Sequence, residues 1–390
     1  MKKLAIISTH PIQYNAPFFK LLTERKKIKL KIFYTWSQSE NEQKYDPGFG
    51  KNINWDIPLL EGYEYLFIEN IAKDFGSHHY KGINNPTLLN EIERWGATAI
   101  MVYGWNFKSH LKALKYFKNK IPVFFRGDST LLDEKKGVKK ILRRLLLKYI
   151  YSYVDKAFYA GRANKEYFKV HGFKENEMEF MPHAIDNKRF EFSVIHNNAA
   201  SVLRQVLNIP KEATLFLFAG KLEKKKQPDF LANVFCQIAE ENVFLLIVGN
   251  GVLEKELKEK YKNHPQIRFL DFVNQQQMPS VYACCDVFVL PSKGPGETWG
   301  LSINEAMAGR KAVIASNACG AAYDLIINET NGFVFEKANP DMLKKFMLHF
   351  IENKQSAENM GVQSLKMVQE YSFEKCCIVI ENVLLNKINN

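Results

Sequence analysis

Short apolar runs alternate with longer amphipathic segments along the whole chain. The runs are rich in β-branched and aromatic residues and have the length of buried strands, whereas the segments between them repeat apolar positions at helical spacing. This alternation predicts βαβ units and a parallel sheet in each half of the chain, which is an α/β architecture. The predicted strands are KLAIIST, LKIFYT, TAIMVYG, IPVFFRG and KAFYAG in the first half, and ATLFLFAG, VFLLIVG, IRFLDF, VFVLPS and KAVIAS in the second.

The join between the two halves is expected near PHAIDNKRFEFSVIHNN, residues 182–198. A chain of 390 residues with 46% hydrophobic content is long enough for two domains, each with its own core. We therefore predict domains over 1–190 and 191–375, followed by a C-terminal helix over 376–390 that packs back on the first domain. The sequence shows no repeat of 20 to 50 residues, so a solenoid is not expected.

Composition narrows the class of protein further. The N-terminal stretch MKKLAIISTHPIQY contains a histidine and a proline too close to its start for the apolar core of a signal peptide. Apolar runs of about eighteen residues, the length of a membrane-spanning helix, are absent from the sequence. A cytoplasmic protein is expected. The six cysteines include no C-x-x-C motif, which predicts reduced, mostly buried thiols and neither a disulfide framework nor a zinc site.

The net charge of +12 is confined to the first half of the chain. Residues 1–190 hold 33 Lys and Arg against 20 Asp and Glu, a net +13, whereas the remainder holds 21 against 22, a net −1. This asymmetry indicates that the first half meets an anionic membrane surface, phosphorylated acceptor or nucleic acid, with solubility alone as the alternative. Nucleic acid is not expected, because C2H2, KH and RNP-type signatures are all missing.

Three loops of the second half follow strands and should meet at one edge of the sheet. In open α/β sheets ligands bind beyond the carboxyl ends of the strands. GKLEKKK, residues 220–226, follows the first strand of this half; Asn250 and Gly251 follow the second; and KGPG, residues 293–296, leads from the fourth to Glu297. We expect a ligand site where these loops converge.

The loops carry groups that suit a diphosphate. Lys221 and Lys226 supply positive charge, and a helix beginning at Gly300-Leu301 supplies free backbone N–H groups and the positive end of its dipole. The alternative is that the lysines of GKLEKKKQP form a solvated turn.

Two glutamates lie near the start of the same predicted helix, Glu297 before it and Glu305 within it. Ile303, Ala306 and Met307 share a face that should point into the core, which leaves Glu305 on another face with Ser302 and Gly309. A carboxylate there can accept two hydrogen bonds from a ribose diol. Glu297 precedes the helix and addresses a different part of the ligand, so a nucleotide sugar would use all of these groups together.

The order of these motifs resembles the retaining glycosyltransferases of family four, which have the two-domain GT-B fold of two Rossmann-like parallel-sheet domains facing each other across a cleft. The resemblance rests on E-x7-E, from Glu297 to Glu305, followed by AMAGRKAVIAS and by CGAAYDLI-x5-GFVF. It covers about 214–375 almost continuously. In the first half HPIQYNAPFF, FG-x4-WDIPLLEGY and FRGDS resemble a subset of the same family.

The resemblance implies a role for each matching residue. The first domain would bind the acceptor and the second a UDP- or GDP-sugar donor, with Glu297 on the donor sugar, Glu305 on the ribose, and Lys221 and Lys226 on the phosphates. No cofactor, metal or strong protein base is implied, since the leaving diphosphate assists deprotonation of the acceptor. The predicted catalytic residues are Glu297, Lys226 and Lys221, and the predicted donor-binding set adds Gly220, Asn250, Gly251, Trp299, Gly300, Leu301 and Glu305.

The chain departs from the family pattern at several positions. Lys221 stands where arginine is common, Gln227 where glycine is common and Ala312 where proline is common. The first loop, residues 9–13, lacks the family's paired glycines. On the acceptor side, the strand-end residues His10, Gln13, Arg126 and Asp128 are the candidates for contact with the acceptor or donor sugar; turn or cap roles are the alternative.

The segment DEKKGVKKILRRLLLKYIYSYV, residues 133–154, predicts a helix that is both basic and amphipathic. Its apolar stripe of Ile141, Leu142, Leu145, Leu146 and Tyr149 is expected to dock on the first sheet. Its cations would then remain in water or face anionic lipid headgroups or the diphosphate of a lipid-linked acceptor, giving peripheral membrane contact through 135–148 at the inner face of the plasma membrane. The cations are Lys135, Lys136, Lys139, Lys140, Arg143, Arg144 and Lys148.

The function expected from the sequence is hexosyl transfer from a nucleotide sugar to a glycan or lipid-linked acceptor with retention of configuration, in cell-surface polysaccharide or glycoconjugate synthesis. A nucleotide-sugar epimerase or a sugar phosphorylase on the same fold is the first alternative. A nucleic-acid-binding protein is the second.

Overall fold

The computed structural model describes residues 1–36, 44–46, 48–134, 137–191 and 193–386. The chain divides into two compact units. The first comprises Met1–Glu42, Ile57–Pro182 and Phe373–Asn390, and the second Gln43–Asp56 and His183–Ser372. The units differ from the predicted domain bounds in three ways: residues 43–56 group with the second unit, the main segment of the second unit begins at His183 rather than at residue 191, and the C-terminal segment of the first unit begins at Phe373 rather than at residue 376.

A seven-stranded parallel sheet forms the centre of the first unit, with the strand order β5-β2-β1-β6-β7-β8-β9. All five predicted strands of this half are confirmed, and β5 and β9 were not predicted. The strands are β1 Lys3–Ser8, β2 Lys29–Tyr34, β5 Glu64–Phe67, β6 Ala99–Tyr103, β7 Val123–Arg126, β8 Lys156–Tyr159 and β9 Met178–Phe180. The helices of this unit are α1 Ala16–Glu24, α2 Leu88–Trp95, α3 Lys108–Phe117, α4 Val138–Tyr151, α5 Arg162–Val170 and α15 Phe373–Asn386.

Burial on both faces explains why the central strands read as continuous apolar runs. Leu4, Ala5, Ile6 and Ile7 of β1 are all fully buried. A parallel sheet covered by helices on both sides has no solvent-facing side for polar residues to occupy.

A six-stranded parallel sheet forms the centre of the second unit, with the order β12-β11-β10-β13-β14-β15. The five predicted strands are confirmed, and β15 was not predicted as a strand. The strands are β10 Thr214–Ala219, β11 Val243–Val248, β12 Ile267–Leu270, β13 Val287–Leu290, β14 Ala312–Ser316 and β15 Gly332–Phe335. The helices are α6 Asn187–Phe190, α7 Val194–Val206, α8 Pro228–Phe235, α9 Glu254–Tyr261, α10 Met278–Cys284, α11 Leu301–Ala308, α12 Ala322–Leu325, α13 Pro340–Glu352 and α14 Lys354–Val368.

A short antiparallel hairpin in the first half of the sequence also belongs to the second unit. Its strands are β3 Lys44–Asp46 and β4 Lys51–Ile53. Trp55 and Phe49 both make ring contacts with Phe272, and the Asn274 side chain donates to the Asn54 carbonyl over 2.7 Å. These contacts join the hairpin to the end of β12.

The C-terminal helix α15 packs within the first unit. Glu381 is 2% exposed and receives a two-pronged contact from Arg25, with Nε at 2.6 Å from Oε1 and Nη2 at 2.8 Å from Oε2. Lys27 Nζ lies 3.0 Å from Oε2 of the same carboxylate. A bidentate arginine–carboxylate contact fixes geometry as well as contributing energy, so it ties α15 to the end of α1. Residues 387–390 of the predicted helix lie outside the described residues.

The structure corrects the predicted docking of α4. Ile141, Leu142, Leu145, Leu146 and Tyr149, the stripe expected to dock on the sheet, are 52–62% exposed. The packed face instead carries Leu147, Ile150 and Tyr151, which join the core of the first unit. The predicted cations Lys135 and Lys136 lie outside the described residues.

The burial of the cysteines agrees with the expectation that most of them are buried. All six are free; Cys236 is exposed, and the others are buried. Over the described ranges, the model contains no helix that is both long and apolar enough to cross a membrane.

Candidate active site

Backbone hydrogen bonds hold the three predicted loops of the second unit together. Leu222 N donates to Asn250 O over 2.9 Å, and Leu253 N donates to Leu222 O over 2.9 Å, which joins the loops after β10 and β11. Lys293 N donates to Lys225 O over 2.9 Å and joins the loop after β13. Gly251 permits this approach, because a Cβ there would stand 2.6 Å from the Leu222 carbonyl oxygen. The loops therefore meet at the carboxyl edge of the sheet, where a ligand is expected.

Glu297 is a buried carboxylate at this edge, with an exposed fraction of 6%. Its Oε2 lies 2.5 Å from Lys226 Nζ and accepts a hydrogen bond from Ser292 Oγ at 2.9 Å. Ser316 Oγ, at the end of β14, donates to the carbonyl of Ser292. Ion pairing with Lys226 offsets the cost of burying the charge of Glu297, and the serines fix the orientation of the carboxylate.

The buried carboxylate also affects a neighbouring thiol. Burial, reinforced by the charge of Glu297, raises the pKa of Cys319 to about 12. The raised pKa favours the protonated thiol of Cys319 over the reactive thiolate.

The start of α11 follows Glu297 closely. Gly300 precedes the helix with φ of 102°, a conformation that favours glycine, and a Cβ there would stand 2.9 Å from Leu290 Cδ2. Trp299 Nε1 donates to Asn304 Oδ1 over 2.8 Å, and Asn304 Nδ2 donates to His183 O over 3.0 Å. These contacts fix the position of the helix N-terminus, whose amides carry partial positive charge.

Glu305 lies inside α11 and is only 4% exposed. Its Oε2 accepts a hydrogen bond from Tyr282 OH of α10 at 2.7 Å. Ile303, Ala306 and Met307 are fully buried, as the helical spacing predicts. The solvated glutamate that a helix surface would ordinarily present is therefore not what the structure shows.

Lys221 is in contact with the hairpin segment. A Cβ on Gly48 would stand 2.6 Å from Lys221 Nζ, and Lys221 Nζ lies 5.0 Å from the centroid of the Phe49 ring. Phe49 in turn contacts Phe272, with ring centroids 4.9 Å apart. No sequence pattern predicts this contact, because Phe49 and Lys221 lie in different halves of the chain.

Asn250 has a structural role in the second unit that its prediction as a donor contact did not anticipate. It is 7% exposed, its Nδ2 donates to Glu254 Oε2 over 2.8 Å, and its Oδ1 accepts from Phe272 N at 2.8 Å. These bonds join the loops after β11 and β12. The amide side chain is therefore occupied by its own unit, and backbone groups of this loop remain the better candidates for ligand contact.

Gln227 has a backbone conformation that favours glycine. Its backbone has φ of 57° and ψ of 44°, the left-handed region that costs non-glycine residues about 1–2 kcal/mol. The side-chain Oε1 is buried without a hydrogen-bond partner among the described residues. Gln227 precedes α8, which Pro228 begins.

Arg126 has a structural role that differs from the predicted acceptor contact. It is 8% exposed, and its guanidinium donates to the carbonyls of Phe158, Met181 and Pro182. Burial lowers the pKa of Arg126, although nearby groups oppose this shift. The structure therefore assigns Arg126 to joining β7 to the neighbouring strand ends.

The other acceptor-side candidates lie after strand ends of the first sheet. His10 Nδ1 lies 2.9 Å from Thr9 Oγ1, and its ring meets Trp36 edge-on at 4.9 Å. His10 and Gln13 are partly exposed after β1, and Asp128 is exposed after β7. Parallel strands place all three at the same edge of the sheet, so they stay candidates for acceptor contact.

Within the described ranges, the potential metal ligands that come together are Asp74, His78 and His79, whose ligand atoms lie within 4.8 Å of one another. They belong to the first unit and not to the loops around Glu297. The loops around Glu297 carry the ammonium groups of Lys221 and Lys226 and lead to the backbone amides at the start of α11.

A family model is similar to part of the chain. Residues 200–367 match the family model of the glycosyl transferases group 1. The UDP-Gal:alpha-D-GlcNAc-diphosphoundecaprenol alpha-1,3-galactosyltransferase of Escherichia coli is 27% identical over 184 residues, which are 46% of this chain and 46% of that enzyme. The GDP-mannose-dependent monoacylated alpha-(1-6)-phosphatidylinositol monomannoside mannosyltransferase of Corynebacterium glutamicum is 26% identical over 250 residues, 62% of this chain and 65% of that enzyme. The chain thus spans less than two thirds of either relative.

A solved structure matches nearly the whole chain. The crystal structure of Anabaena Alr3699/HepE in complex with UDP and glucose superposes with a TM-score of 0.72 and 18% sequence identity, covering 99% of this chain and 100% of that one. The likeness shows the fold, which is the predicted GT-B fold of two Rossmann-like parallel-sheet domains.

Proposed function

We propose that this chain is a group 1 glycosyltransferase that transfers a hexose from a UDP- or GDP-sugar to a glycan or lipid-linked acceptor with retention of the anomeric configuration. The observation that carries the proposal is the arrangement of two buried carboxylates around one helix start, with Glu297 paired to Lys226 before α11 and Glu305 held by Tyr282 within it. The names of the relatives, which use UDP-Gal and GDP-mannose, support a nucleotide sugar as the donor.

The donor diphosphate would bind between Lys226, Lys221 and the amides at the start of α11. Because Lys226 is already paired with Glu297, phosphate oxygens compete for its ammonium group when the donor arrives. The Glu297 carboxylate is then available to accept hydrogen bonds from the hydroxyls of the donor sugar. The ion pair between Lys226 and Glu297 would in this way be replaced by a contact of Lys226 with the diphosphate and a contact of Glu297 with the donor sugar.

Glu305 is proposed to bind the ribose. Its Oε2 accepts a hydrogen bond from Tyr282 OH, and the carboxylate is an acceptor that suits vicinal hydroxyls. Tyr282 orients the carboxylate, and burial strengthens the hydrogen bonds that it accepts from a ribose diol.

The reaction breaks the bond between the anomeric carbon and the diphosphate oxygen. The acceptor hydroxyl oxygen bonds to the anomeric carbon on the same face, and its proton passes to the departing diphosphate. Lys226, Lys221 and the helix amides stabilise the negative charge that develops on the leaving group, which is the main contribution expected of the protein.

The acceptor belongs to the first unit in this proposal. His10, Gln13 and Asp128, at one edge of its sheet, are the residues proposed to meet the acceptor. A lipid-linked acceptor is supported by the names of the two relatives, whose acceptors carry undecaprenol and phosphatidylinositol. Action in the cytoplasm, in cell-surface polysaccharide or glycoconjugate synthesis, is part of the proposal.

Calorimetric titration of UDP and of GDP into the protein tests the donor site. Glu305→Gln should weaken the nucleotide that binds by about 1–3 kcal/mol, because it removes a charged acceptor from the ribose. Glu336→Gln, which changes an exposed carboxylate of the same unit, should leave binding unchanged. Unchanged binding in Glu305→Gln, or binding of neither nucleotide to the parent protein, would contradict the proposed donor site.

A further inference from the structure

Helix α4 presents a wide apolar face to solvent. Six large apolar side chains of this helix have exposed fractions between 52% and 72%. At 100° per residue they span about 140° of the helix circumference. Exposed apolar surface concentrated in this way marks an interaction site. The six are Val138, Ile141, Leu142, Leu145, Leu146 and Tyr149, here called the outer face.

The outer face is distinct from the face by which α4 is anchored. Leu147, Ile150 and Tyr151 lie on the opposite side and belong to the core of the first unit. Glu134 anchors the same side, with its Oε2 at 2.6 Å from Lys140 Nζ and at 2.8 Å from Arg144 Nη2. The packing of α4 against the core of the first unit therefore does not use the outer face.

Cations that are not part of this anchor flank the outer face. Lys139, Arg143 and Lys148 are exposed, and Lys115 of α3 is also exposed with its Nζ 5.4 Å from the centroid of the Tyr149 ring. The sequence of α4, VKKILRRLLLKYIY, contains no acidic residue. An apolar strip bordered by cations and free of acids is complementary to an anionic lipid surface.

The length of α4 determines how it can meet a bilayer. Its 14 residues extend about 21 Å, too short to cross the hydrocarbon core of about 30 Å. We infer that α4 lies in the plane of an anionic membrane, with the outer face inserted among the acyl chains and with Lys139, Arg143, Lys148 and Lys115 at the headgroups. The inference does not depend on the proposed sugar transfer. It differs from attraction by charge alone, because the apolar side chains are in the bilayer.

Flotation with vesicles of phosphatidylcholine and phosphatidylglycerol, over a series of salt concentrations, tests the inference. Leu142→Gln with Leu145→Gln keeps every charge, and both positions are exposed, so folding should be retained. The matched control is Val202→Gln with Val206→Gln on α7, where the valines are 58% and 71% exposed. A third variant, Lys139→Gln with Arg143→Gln and Lys148→Gln, removes charge only.

The parent protein and the α7 control should float equally with anionic vesicles. The leucine variant should lose at least tenfold in partitioning, and what remains should still depend on salt. The charge variant should lose binding at low salt and show a flatter salt dependence. Donor hydrolysis in the absence of vesicles should be the same in all four proteins, which separates this inference from the proposed catalysis.

Three results would overturn the inference. The leucine variant could float as well as the parent, which would leave charge as the whole attraction. The parent could fail to bind vesicles at low salt. Sedimentation could instead show a dimer of the parent that the leucine substitutions abolish, which would make the outer face an interface between two copies of the chain.

Discussion

Glu297 and Lys226 form a close ion pair in a site that is proposed to receive a diphosphate. The two charged atoms are 2.5 Å apart, and the side chains are 7% and 17% exposed. Ser292 and Ser316 complete a chain of hydrogen bonds behind the carboxylate. The pair holds Lys226 in place before substrate arrives, so that little reorganisation is needed when the leaving group develops charge.

Glu297→Gln should lower kcat with a full nucleotide sugar by about 10²-fold, because the contact proposed with the sugar contributes mainly in the transition state. Affinity for the free nucleoside diphosphate should not fall, since Lys226 loses a competing anion. Steady-state kinetics and calorimetry on the same preparation measure the two effects. Ser292→Ala, which removes a hydrogen bond but keeps the charge, should have a smaller effect on kcat. An equal loss of nucleotide affinity and of kcat in Glu297→Gln would refute the assignment to the sugar.

Glu297 and Glu305 were predicted as site residues from the sequence, but the side chains that hydrogen-bond to them were not. E-x7-E sits on a strand-end loop and a helix start, and Ile303, Ala306 and Met307 are buried as their helical spacing predicts, but Glu305 is buried as well. Tyr282 was missed because it lies on α10, and its bond to Glu305 joins residues 23 positions apart with no shared local pattern. The contacts of Arg126 with three carbonyls were not predicted, because an arginine at a strand end has the same sequence context whether it contacts a ligand or neighbouring carbonyls.

At the level of elements, helix α8 is preceded by a residue in an unfavourable backbone conformation. Gln227 has left-handed dihedral angles and a buried amide oxygen with no hydrogen-bond partner in the described part of the chain. Glycine adopts this conformation without steric cost but loses about 0.5–1 kcal/mol more conformational entropy on folding. The steric cost that glycine avoids is larger than the conformational entropy that it loses, so the difference in free energy favours glycine at position 227.

Gln227→Gly should therefore raise the free energy of unfolding by about 0.5–1 kcal/mol. Urea denaturation followed by circular dichroism measures the change. Gln227→Ala is the matched control: it removes the same amide but keeps the Cβ, so it should gain less than the glycine variant. A glycine variant less stable than the alanine variant would show that the backbone conformation at 227 is not the source of the cost.

Helix α4 shows why hydrophobic periodicity does not identify the docked face. The sequence VKKILRRLLLKYIY carries apolar residues on nearly every side, so two apolar stripes are available. The stripe with more members was predicted to dock, whereas the structure docks Leu147, Ile150 and Tyr151. Only the tertiary packing of α4 against the first unit distinguishes the two.

At the scale of the whole molecule, the sequence predicted both sheets but not their full extent. The strands that were missed in the two sheets, β5, β9 and β15, are all edge strands of three or four residues. An edge strand is buried on fewer sides, so its apolar pattern is short and interrupted. The hairpin of residues 44–53 was placed with the wrong unit because its contacts with Lys221 and Phe272 are distant in sequence.

The cations of α4 explain part of the charge asymmetry between the two halves of the chain. The first half has a net charge of +13 and contains α4, where Lys140 and Arg144 are paired with Glu134 while Lys139, Arg143 and Lys148 are exposed. Burial alone would raise the pKa of Glu134, but the hydrogen bonds from Lys140 and Arg144 lower it. Some of the cations of α4 are thus paired with Glu134, and the others lie on the surface that is proposed to bind anionic lipid.

The most direct test of the account is to incubate the purified protein with UDP- and GDP-hexoses in the absence of acceptor and to follow the products by NMR. We predict slow hydrolysis of at least one donor, with the free sugar first appearing in the anomeric configuration that it had in the donor. Glu297→Gln should slow this release, and Glu336→Gln should not. An epimerised but intact nucleotide sugar, release that requires inorganic phosphate, a sugar of inverted configuration, or no cleavage of any donor would contradict retaining transfer from a nucleotide sugar.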